Sequence, residues 1–151
     1  DVFKEKNLEH IITYIHFGLT SQDINNTANP LMIKDYMNWN YLCTLESILD
    51  DLLLKSDKWK NKIMISKTHG QPAVPTSFGK ELKVFHYRLN RQYDSLKNMS
   101  FYGKFGGATG NFNAHKCAFP DINWKEFAFK FLGSLGLKHN KYTTQIDNYE
   151  K

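Results

Sequence analysis

The stretch M-I-K-D-Y-M-N-W-N-Y-L-C-T-L-E-S-I-L-D-D-L, residues 32–52, decides the fold class of this chain. Its apolar residues recur at steps of four and three, the period of one helix face. They are Met32, Tyr36, Trp39, Leu42, Leu45, Leu49 and Leu52. The pattern predicts a helix from about residues 23–24 to Ser56, or one that starts near Asn29 with Pro30 in the first helical position. Such a helix is about 40 Å long, and its apolar stripe needs neighbours. The sequence therefore predicts an all-α fold, a bundle of long helices.

Helical periodicity is also present on both sides of this stretch. The segments are about Leu8–Phe17, Ser77–Met99 and Trp124–Leu135. Gly18 is placed to end the first of them, and Thr76-Ser77 can cap the second. In the third, Phe127, Phe131 and Leu132 are the core candidates. The pattern indicates no strand anywhere in the chain.

The stretch K-T-H-G-Q-P-A-V-P, Lys67–Pro75, lies between two predicted helices. Neither Pro72 nor Pro75 can continue a helix, so we expect His69 to be held on irregular backbone. Loops carried by a rigid scaffold are frequent positions for catalytic residues. The same residues could form a purely structural loop, so other segments must decide between the two interpretations.

Composition indicates one globular domain. The 151 residues are 41% hydrophobic and 15% aromatic, and the formal net charge is +5. The basic residues are scattered and form no stripe with aromatics, which disfavours nucleic acid as a partner and is compatible with a small anionic substrate. No apolar run of about 18 residues and no leader-like start are present, so neither a membrane span nor a signal peptide is expected.

Cysteine usage and the glycine-rich segment exclude two classes of site. Cys43 and Cys117 stand alone, without a C-x-x-C pair or a zinc-type spacing to histidine. This favours reduced thiols, a cytoplasmic protein and no metal. The stretch Gly103–His115 matches neither the phosphate-binding P-loop nor the dinucleotide fingerprint, so it is not a nucleotide motif of either kind.

Four motifs together resemble the adenylosuccinate lyase family of the fumarase and aspartase superfamily. They are T-S-Q-D-I-N-N at Thr20–Asn26, K-T-H-G-Q-P-A-V-P at Lys67–Pro75, G-N-F-N-A-H at Gly110–His115 and T-T-Q-I-D at Thr143–Asp147. They occur in the family's order and extend over nearly the whole chain. The resemblance implies an all-helical central domain that assembles as a homotetramer, with each active site built from loops of three subunits.

The resemblance also implies the reaction. Members of this family remove fumarate from adenylosuccinate, leaving AMP, and from the related succinyl-carboxamide imidazole ribotide. A carbon–nitrogen bond breaks and a proton leaves the adjacent carbon, without a metal or other cofactor. The implied partners are therefore this anionic small molecule and its products, with neither nucleic acid nor membrane.

Roles for individual residues follow from the same resemblance. His69 is expected to be the general acid that protonates the departing nitrogen, since imidazole exchanges a proton near neutral pH. Thr20 and Ser21 are expected to bind a succinyl carboxylate, with hydroxyls and free N–H groups at a helix start. Thr68 and Gln145 are expected to line the substrate site. Asn111, Asn113 and His115 lie near the site or shape the glycine loop and are not counted as site residues.

Parts of the family pattern are missing from these residues. The loop G-S-S-x-M-P-x-K-x-N, which carries the family's catalytic base, has no counterpart, nor do the amino-terminal Arg-Tyr pair and the H-D region. We therefore expect residues 1–151 to be part of the central helical lyase domain, without the N-terminal domain, the rest of the central domain and the C-terminal domain. We also expect the fragment alone to be inactive.

Three alternatives remain open from the sequence. Another superfamily lyase, of the argininosuccinate lyase or fumarase type, has the same fold and acid–base logic. A noncatalytic helical assembly module would keep the helices and lack the chemistry. A basic RNA-binding helical domain would bind polyanions with a steep salt dependence.

Overall fold

The computed structural model describes residues 2–149. In chain order the elements are α1 (Val2–Glu5), a 3₁₀ turn (Glu9–Tyr14), α2 (Ser21–Tyr36), a π-helical turn (Met37–Tyr41), α3 (Leu42–Lys58), β1 (Ile63–Thr68), β2 (Gln71–Ser77), α4 (Phe78–Lys97), β3 (Tyr102–Gly103), α5 (Asn113–Ala118), α6 (Trp124–Ser134) and β4 (Lys138–His139). The chain forms two compact units. Of the described residues, the terminal unit contains 2–34 and 100–149, and the hairpin unit contains Asp35–Met99.

The predicted long helix is present. Helical backbone runs without interruption from Ser21 to Lys58, through the π-helical turn at Met37–Tyr41. Pro30 lies inside α2, so the alternative start near Asn29 is wrong. A mainly helical fold of long helices is thereby confirmed.

The apolar stripe of this helix is buried only in its second half. Leu42 and Leu49 are buried, whereas Met32 is 62% and Trp39 is 79% exposed. In α2 the buried face is instead mainly polar, with Asp23, Asn26 and Thr27 beside Pro30. The prediction of a continuous apolar stripe from Met32 to Leu52 is therefore wrong for its first part within the described chain.

In the hairpin unit, α3 and α4 pack against each other around Leu42, Leu49 and Tyr93. The Gly79 N–H donates to the carbonyl of Trp59 at 3.1 Å, so the beginning of α4 lies at the end of α3 and the two helices run antiparallel. Ser77 caps α4, as predicted, because its side chain accepts the N–H of Lys80.

The connection between these helices is a β-hairpin, which the sequence pattern did not indicate. Strands β1 and β2 pair antiparallel, with Ile65 opposite Pro75 and Thr68 opposite Gln71. The hairpin is two-stranded, and both strands are edges where prolines are tolerated. The alternation of apolar and polar residues that marks a half-buried strand is absent from β2, because the strand contains two prolines and most of its residues are exposed.

The core of the terminal unit is aromatic. Phe112, Trp124 and Ala128 are buried together, with Phe17 and Phe105 packed against them. Of the core candidates on α6, Leu132 is fully buried, while Phe127 and Phe131 are exposed. The predicted amphipathic helix at Leu8–Phe17 is a shorter 3₁₀ turn whose isoleucines remain exposed, so that prediction is wrong in type and burial. The short strands β3 and β4 pair in parallel.

Candidate functional site

Thr20 and Ser21 lie where α2 begins. Ser21 is the first residue of the helix and is exposed, and Thr20 before it is half-buried. The partial positive charge at a helix N-terminus favours an anion near these hydroxyls. However, the Thr20 N–H donates to Asp23 Oδ2 at 2.8 Å. The prediction of free N–H groups at this helix start is therefore wrong for Thr20.

The Asp23 carboxylate links the start of α2 to the glycine-rich loop, the stretch Gly103–His115. Its Oδ1 accepts Lys104 Nζ at 2.7 Å and the N–H of Gly106 at 2.9 Å. Its Oδ2 accepts the N–H of Gly107 at 3.1 Å, in addition to that of Thr20. Because Asp23 is buried, these bonds are shielded from water and hold the loop against the helix.

Residues in the next turn of α2 also form hydrogen bonds with distant segments. Thr27 Oγ1 donates to the Lys104 carbonyl at 3.0 Å. Asn26 Nδ2 donates to the Asp147 carbonyl at 2.7 Å, and Asn26 Oδ1 accepts the Asp147 N–H at 3.2 Å. The polar face of α2 therefore binds both the glycine-rich loop and the segment that ends the described chain.

Gln145 lies on that segment and is exposed. Two residues later, the Asp147 carboxylate accepts Asn140 Nδ2 at 2.9 Å. Gly110, at φ +78°, comes so close to the segment that a Cβ there would lie 2.2 Å from the Thr143 carbonyl oxygen. Glycine is therefore required where the loop meets the residues preceding Gln145.

His69 and Thr68 lie at the tip of the hairpin. His69 and Gly70 form its two-residue turn with φ +50° and +77°, the left-handed combination that suits a tight antiparallel hairpin. Both His69 and Thr68 are exposed, so a ligand can reach the imidazole. The expectation of irregular backbone at His69 is corrected to a β-hairpin turn.

The predicted site residues thus fall into two groups. Thr20, Ser21 and Gln145 belong to the terminal unit, where Asp23, Asn26 and the glycine-rich loop connect the segments that carry them. Thr68 and His69 belong to the hairpin unit.

His115, which the sequence analysis did not count as a site residue, is fully buried beside this network. Its ring lies 4.7 Å from that of Trp124 and 5.3 Å from that of Phe105, between centroids. Neither ring nitrogen has a hydrogen-bond partner within the described residues. Burial lowers the pKa of His115 below its usual value, and the negative charge of Asp23 acts in the opposite direction.

Residues 2–149 contain neither a metal cluster nor a membrane-spanning helix. No cluster of three or more His, Cys, Asp or Glu side chains in this range could hold a metal ion. Among these residues, no helix combines the length and the apolar character that a membrane crossing requires.

Comparison with known proteins identifies the family. A family model described as "Lyase" matches residues 2–150. This chain belongs to the lyase family. The lyase chain is 44% identical over 149 residues to an adenylosuccinate lyase of Buchnera aphidicola subsp. Acyrthosiphon pisum (strain APS), covering 99% of the chain and 33% of that relative. It is 48% identical over 146 residues to an adenylosuccinate lyase of Dictyostelium discoideum, covering 94% of the chain and 31% of that relative.

Solved structures agree on the fold of the lyase chain. A fumarate lyase from Mesorhizobium sp. BNC1 matches with a TM-score of 0.73 and 26% identity, over 87% of this chain and 30% of that one. The chain spans about a third of the length of the curated relatives that it matches, 33% in the Buchnera protein.

The polar network around Asp23 and Lys104 was not predicted from the sequence of the lyase chain. A signal was present, because Asp23, Asn26 and Thr27 are spaced by three and four and so share one helix face. Hydrophobic periodicity identifies a helix face that is apolar, and a polar face that becomes buried gives no such signal. Lys104 gave no signal, because a lone lysine in a loop is normally exposed.

Proposed function

We propose that this lyase chain is part of a cytoplasmic adenylosuccinate lyase. The enzyme eliminates fumarate from adenylosuccinate to give AMP, and from the succinyl-carboxamide imidazole ribotide, in purine biosynthesis. The observation that carries the proposal is the 44% identity to a protein of that name over 99% of the chain. In this proposal residues 1–151 belong to the central helical domain of a longer enzyme.

His69 is the general acid in this proposal. As the carbon–nitrogen bond breaks, the imidazolium protonates the departing nitrogen, and a base from outside this chain takes the proton from the adjacent carbon. Support comes from the exposure of His69 at a tight hairpin turn. A two-residue turn restricts the backbone, which limits the positions that the ring can take relative to the substrate.

Thr20 and Ser21 bind a succinyl carboxylate. Their hydroxyls lie at the positive end of α2, and neither makes a hydrogen bond within the described residues. Negative charge accumulates on that carboxylate as the adjacent carbon loses its proton, so donors aimed at it stabilise the transition state as well as the bound substrate. Thr68 lines the site beside His69, and Gln145 contacts the substrate from the exposed end segment.

The enzyme is a homotetramer whose active sites are shared between subunits. Support comes from large apolar side chains that remain exposed on the two antiparallel helices of the hairpin unit. They include Ile48, Leu53 and Leu54 on α3 and Phe85 on α4. Exposed apolar surface of this kind is stabilised when it is covered by a partner.

The test is fumarate elimination from adenylosuccinate by the full-length gene product, followed by ultraviolet absorbance. The variant His69→Ala is expected to lose about a hundredfold or more in kcat, the usual contribution of a general acid. His86→Ala, on α4 of the same unit, is the matched control and keeps kcat within about twofold of wild type.

The outcomes separate the alternatives. An unchanged kcat in His69→Ala shows that His69 is not the general acid, while the assignment of the enzyme as an adenylosuccinate lyase still stands. If the wild-type protein does not turn over adenylosuccinate but does cleave argininosuccinate or hydrate fumarate, another superfamily lyase is identified. Inactivity on all of these substrates identifies a noncatalytic helical module.

A further inference from the structure

Lys104 is a fully buried cation to which the proposed mechanism gives no role. Its Nζ is 2.7 Å from Asp23 Oδ1, and the two side chains are 0% and 1% exposed. The ammonium also donates to the Gly107 carbonyl at 3.0 Å. A buried ion pair is expensive to desolvate and is frequently no more stable than an apolar pair of similar size, so stability alone does not account for it.

The position of Asp23 suggests what the ion pair does. Asp23 lies in the first turn of α2, three residues after Thr20, whose N–H it accepts at 2.8 Å. A carboxylate in the first turn is itself attracted to the positive helix end and offsets part of the positive charge that would attract an external anion. Uncompensated and shielded from water, it would also repel a second carboxylate bound at Thr20 and Ser21.

Lys104 removes this conflict. Its positive charge lies within hydrogen-bond distance of Asp23 and neutralises the carboxylate, while Asp23 still holds Thr20 and the loop N–H groups of Gly106 and Gly107. The helix end can then be organised by an internal carboxylate and still accept the carboxylate of a ligand.

We propose that Lys104 is a positioning residue that balances the charge of Asp23, so that the start of α2 at Thr20 and Ser21 can bind a substrate carboxylate. This inference rests on the proposed lyase function. Lys104 acts through Asp23 and touches no substrate atom. The ligand class that it concerns is the dicarboxylate part of the substrate, which leaves as fumarate.

The experiment measures fumarate binding to the full-length enzyme by competition with adenylosuccinate. The variant Lys104→Gln keeps a hydrogen-bond donor and loses the charge. It is expected to weaken fumarate binding, and to raise KM for adenylosuccinate, by about tenfold or more. Binding of AMP, which lacks the succinyl carboxylates, is expected to remain within about twofold of wild type because repulsion from Asp23 acts on the dicarboxylate.

The double variant Asp23→Asn with Lys104→Gln removes both charges. It is expected to bind fumarate at least about threefold more tightly than Lys104→Gln, since no uncompensated carboxylate remains; full recovery is not expected, because asparagine has one acceptor oxygen where Asp23 uses two. A packing role for Lys104 predicts the opposite, because the second substitution would add to the damage. Lys34→Met is the matched control: this lysine also donates to a backbone carbonyl, that of Gly136, from the same unit, and fumarate binding should not change.

Two results would overturn the inference. One is wild-type fumarate affinity in Lys104→Gln, and the other is an equal loss of fumarate and AMP binding. If Lys104→Gln does not fold, Asp23→Asn is compared with the double variant, because both carry the same change at position 23. Charge balancing predicts that fumarate binds at least about threefold more tightly to Asp23→Asn, which keeps the positive charge of Lys104, while AMP binds equally to both; equal fumarate binding contradicts it. The activity of the wild-type enzyme on adenylosuccinate is measured first. If there is none, the proposed function fails, and this outcome is distinct from a failure of the Lys104 inference.

Discussion

The imidazole of His115 lies directly against the backbone of Gly18. A Cβ atom at Gly18 would be only 2.5 Å from His115 Nε2, and Gly18 has a φ of +65°. Gly18 lies two positions before the proposed carboxylate site at Thr20, and its surroundings are therefore set by a buried ring 97 positions later in the sequence. Packing and backbone conformation both require glycine at this position.

Replacing this glycine is expected to destabilise the terminal unit. Gly18→Ala both strains the left-handed backbone and forces the ring of His115 to move, for a loss of about 2–4 kcal/mol in the free energy of unfolding. Gly133→Ala is the control, because nothing lies within 4 Å of its added Cβ, and this residue is inside α6. That variant should be stabilised by about 0.5–1 kcal/mol. Urea denaturation measures both values, and an equal response of the two variants would contradict the packing argument.

Stability is expected to depend on pH through His115. Burial lowers the pKa of this imidazole in the folded state, so the unfolded chain binds more protons below the usual value near 6.5. The stabilisation is complete above about pH 6.5 and is lost as the pH falls through the folded-state pKa. His139, whose pKa burial also lowers, acts in the same direction. In urea denaturation between about pH 4.5 and 7.5, His115→Phe should therefore show a shallower slope than wild type. Parallel slopes would assign the pH dependence to other groups.

The amide of Asn26 is expected to control the segment that carries Gln145. Its two bonds to the Asp147 backbone are buried, so Asn26→Ala leaves a buried N–H and carbonyl unsatisfied and should cost about 2–4 kcal/mol. Hydrogen exchange at Ile146 and Asp147 should accelerate along with the loss of stability. Asn29→Ala removes only an exposed bond to the Tyr149 hydroxyl and should cost less than about 0.5 kcal/mol. Similar losses in the two variants would rule out the buried pair as the main attachment.

The hydroxyls at the start of α2 are expected to act on the substrate more than on stability. Neither Thr20 nor Ser21 uses its hydroxyl within residues 2–149, so Thr20→Val and Ser21→Ala should change the free energy of unfolding by less than about 1 kcal/mol. Each is expected to lower kcat/KM for adenylosuccinate by about tenfold, the effect of losing one hydrogen bond to a charged group. Steady-state kinetics of the full-length enzyme, with urea denaturation alongside, provides the comparison. Unchanged kcat/KM in both variants would show that the substrate carboxylate binds at a position other than Thr20 and Ser21.

Helical periodicity and capping residues correctly predicted the helices α4 and α6 from the sequence. The bounds of α4 and α6 lie close to the predicted ones, and Ser77 caps α4 as expected, because capping and helical periodicity depend on residues a few positions apart. The hairpin at His69 was missed because pairing between Ile63–Thr68 and Gln71–Ser77 is a relationship between two strands, and neither one alternates clearly. Thr20, Ser21, Thr68, His69 and Gln145 were selected by resemblance, and their roles stay predictions.

The sequence by itself determined the long helix from α2 into α3, the helices α4 and α6, and membership of a lyase-like family, because periodicity, caps and ordered motifs are properties of neighbouring residues. Only the tertiary structure decided that Asp23 and Lys104 form a buried ion pair across 81 residues of sequence, and that Met32 and Trp39 stay exposed. The reason is physical: burying a charged side chain costs much free energy unless an oppositely charged partner is supplied, and the partner of Asp23 comes from a distant segment.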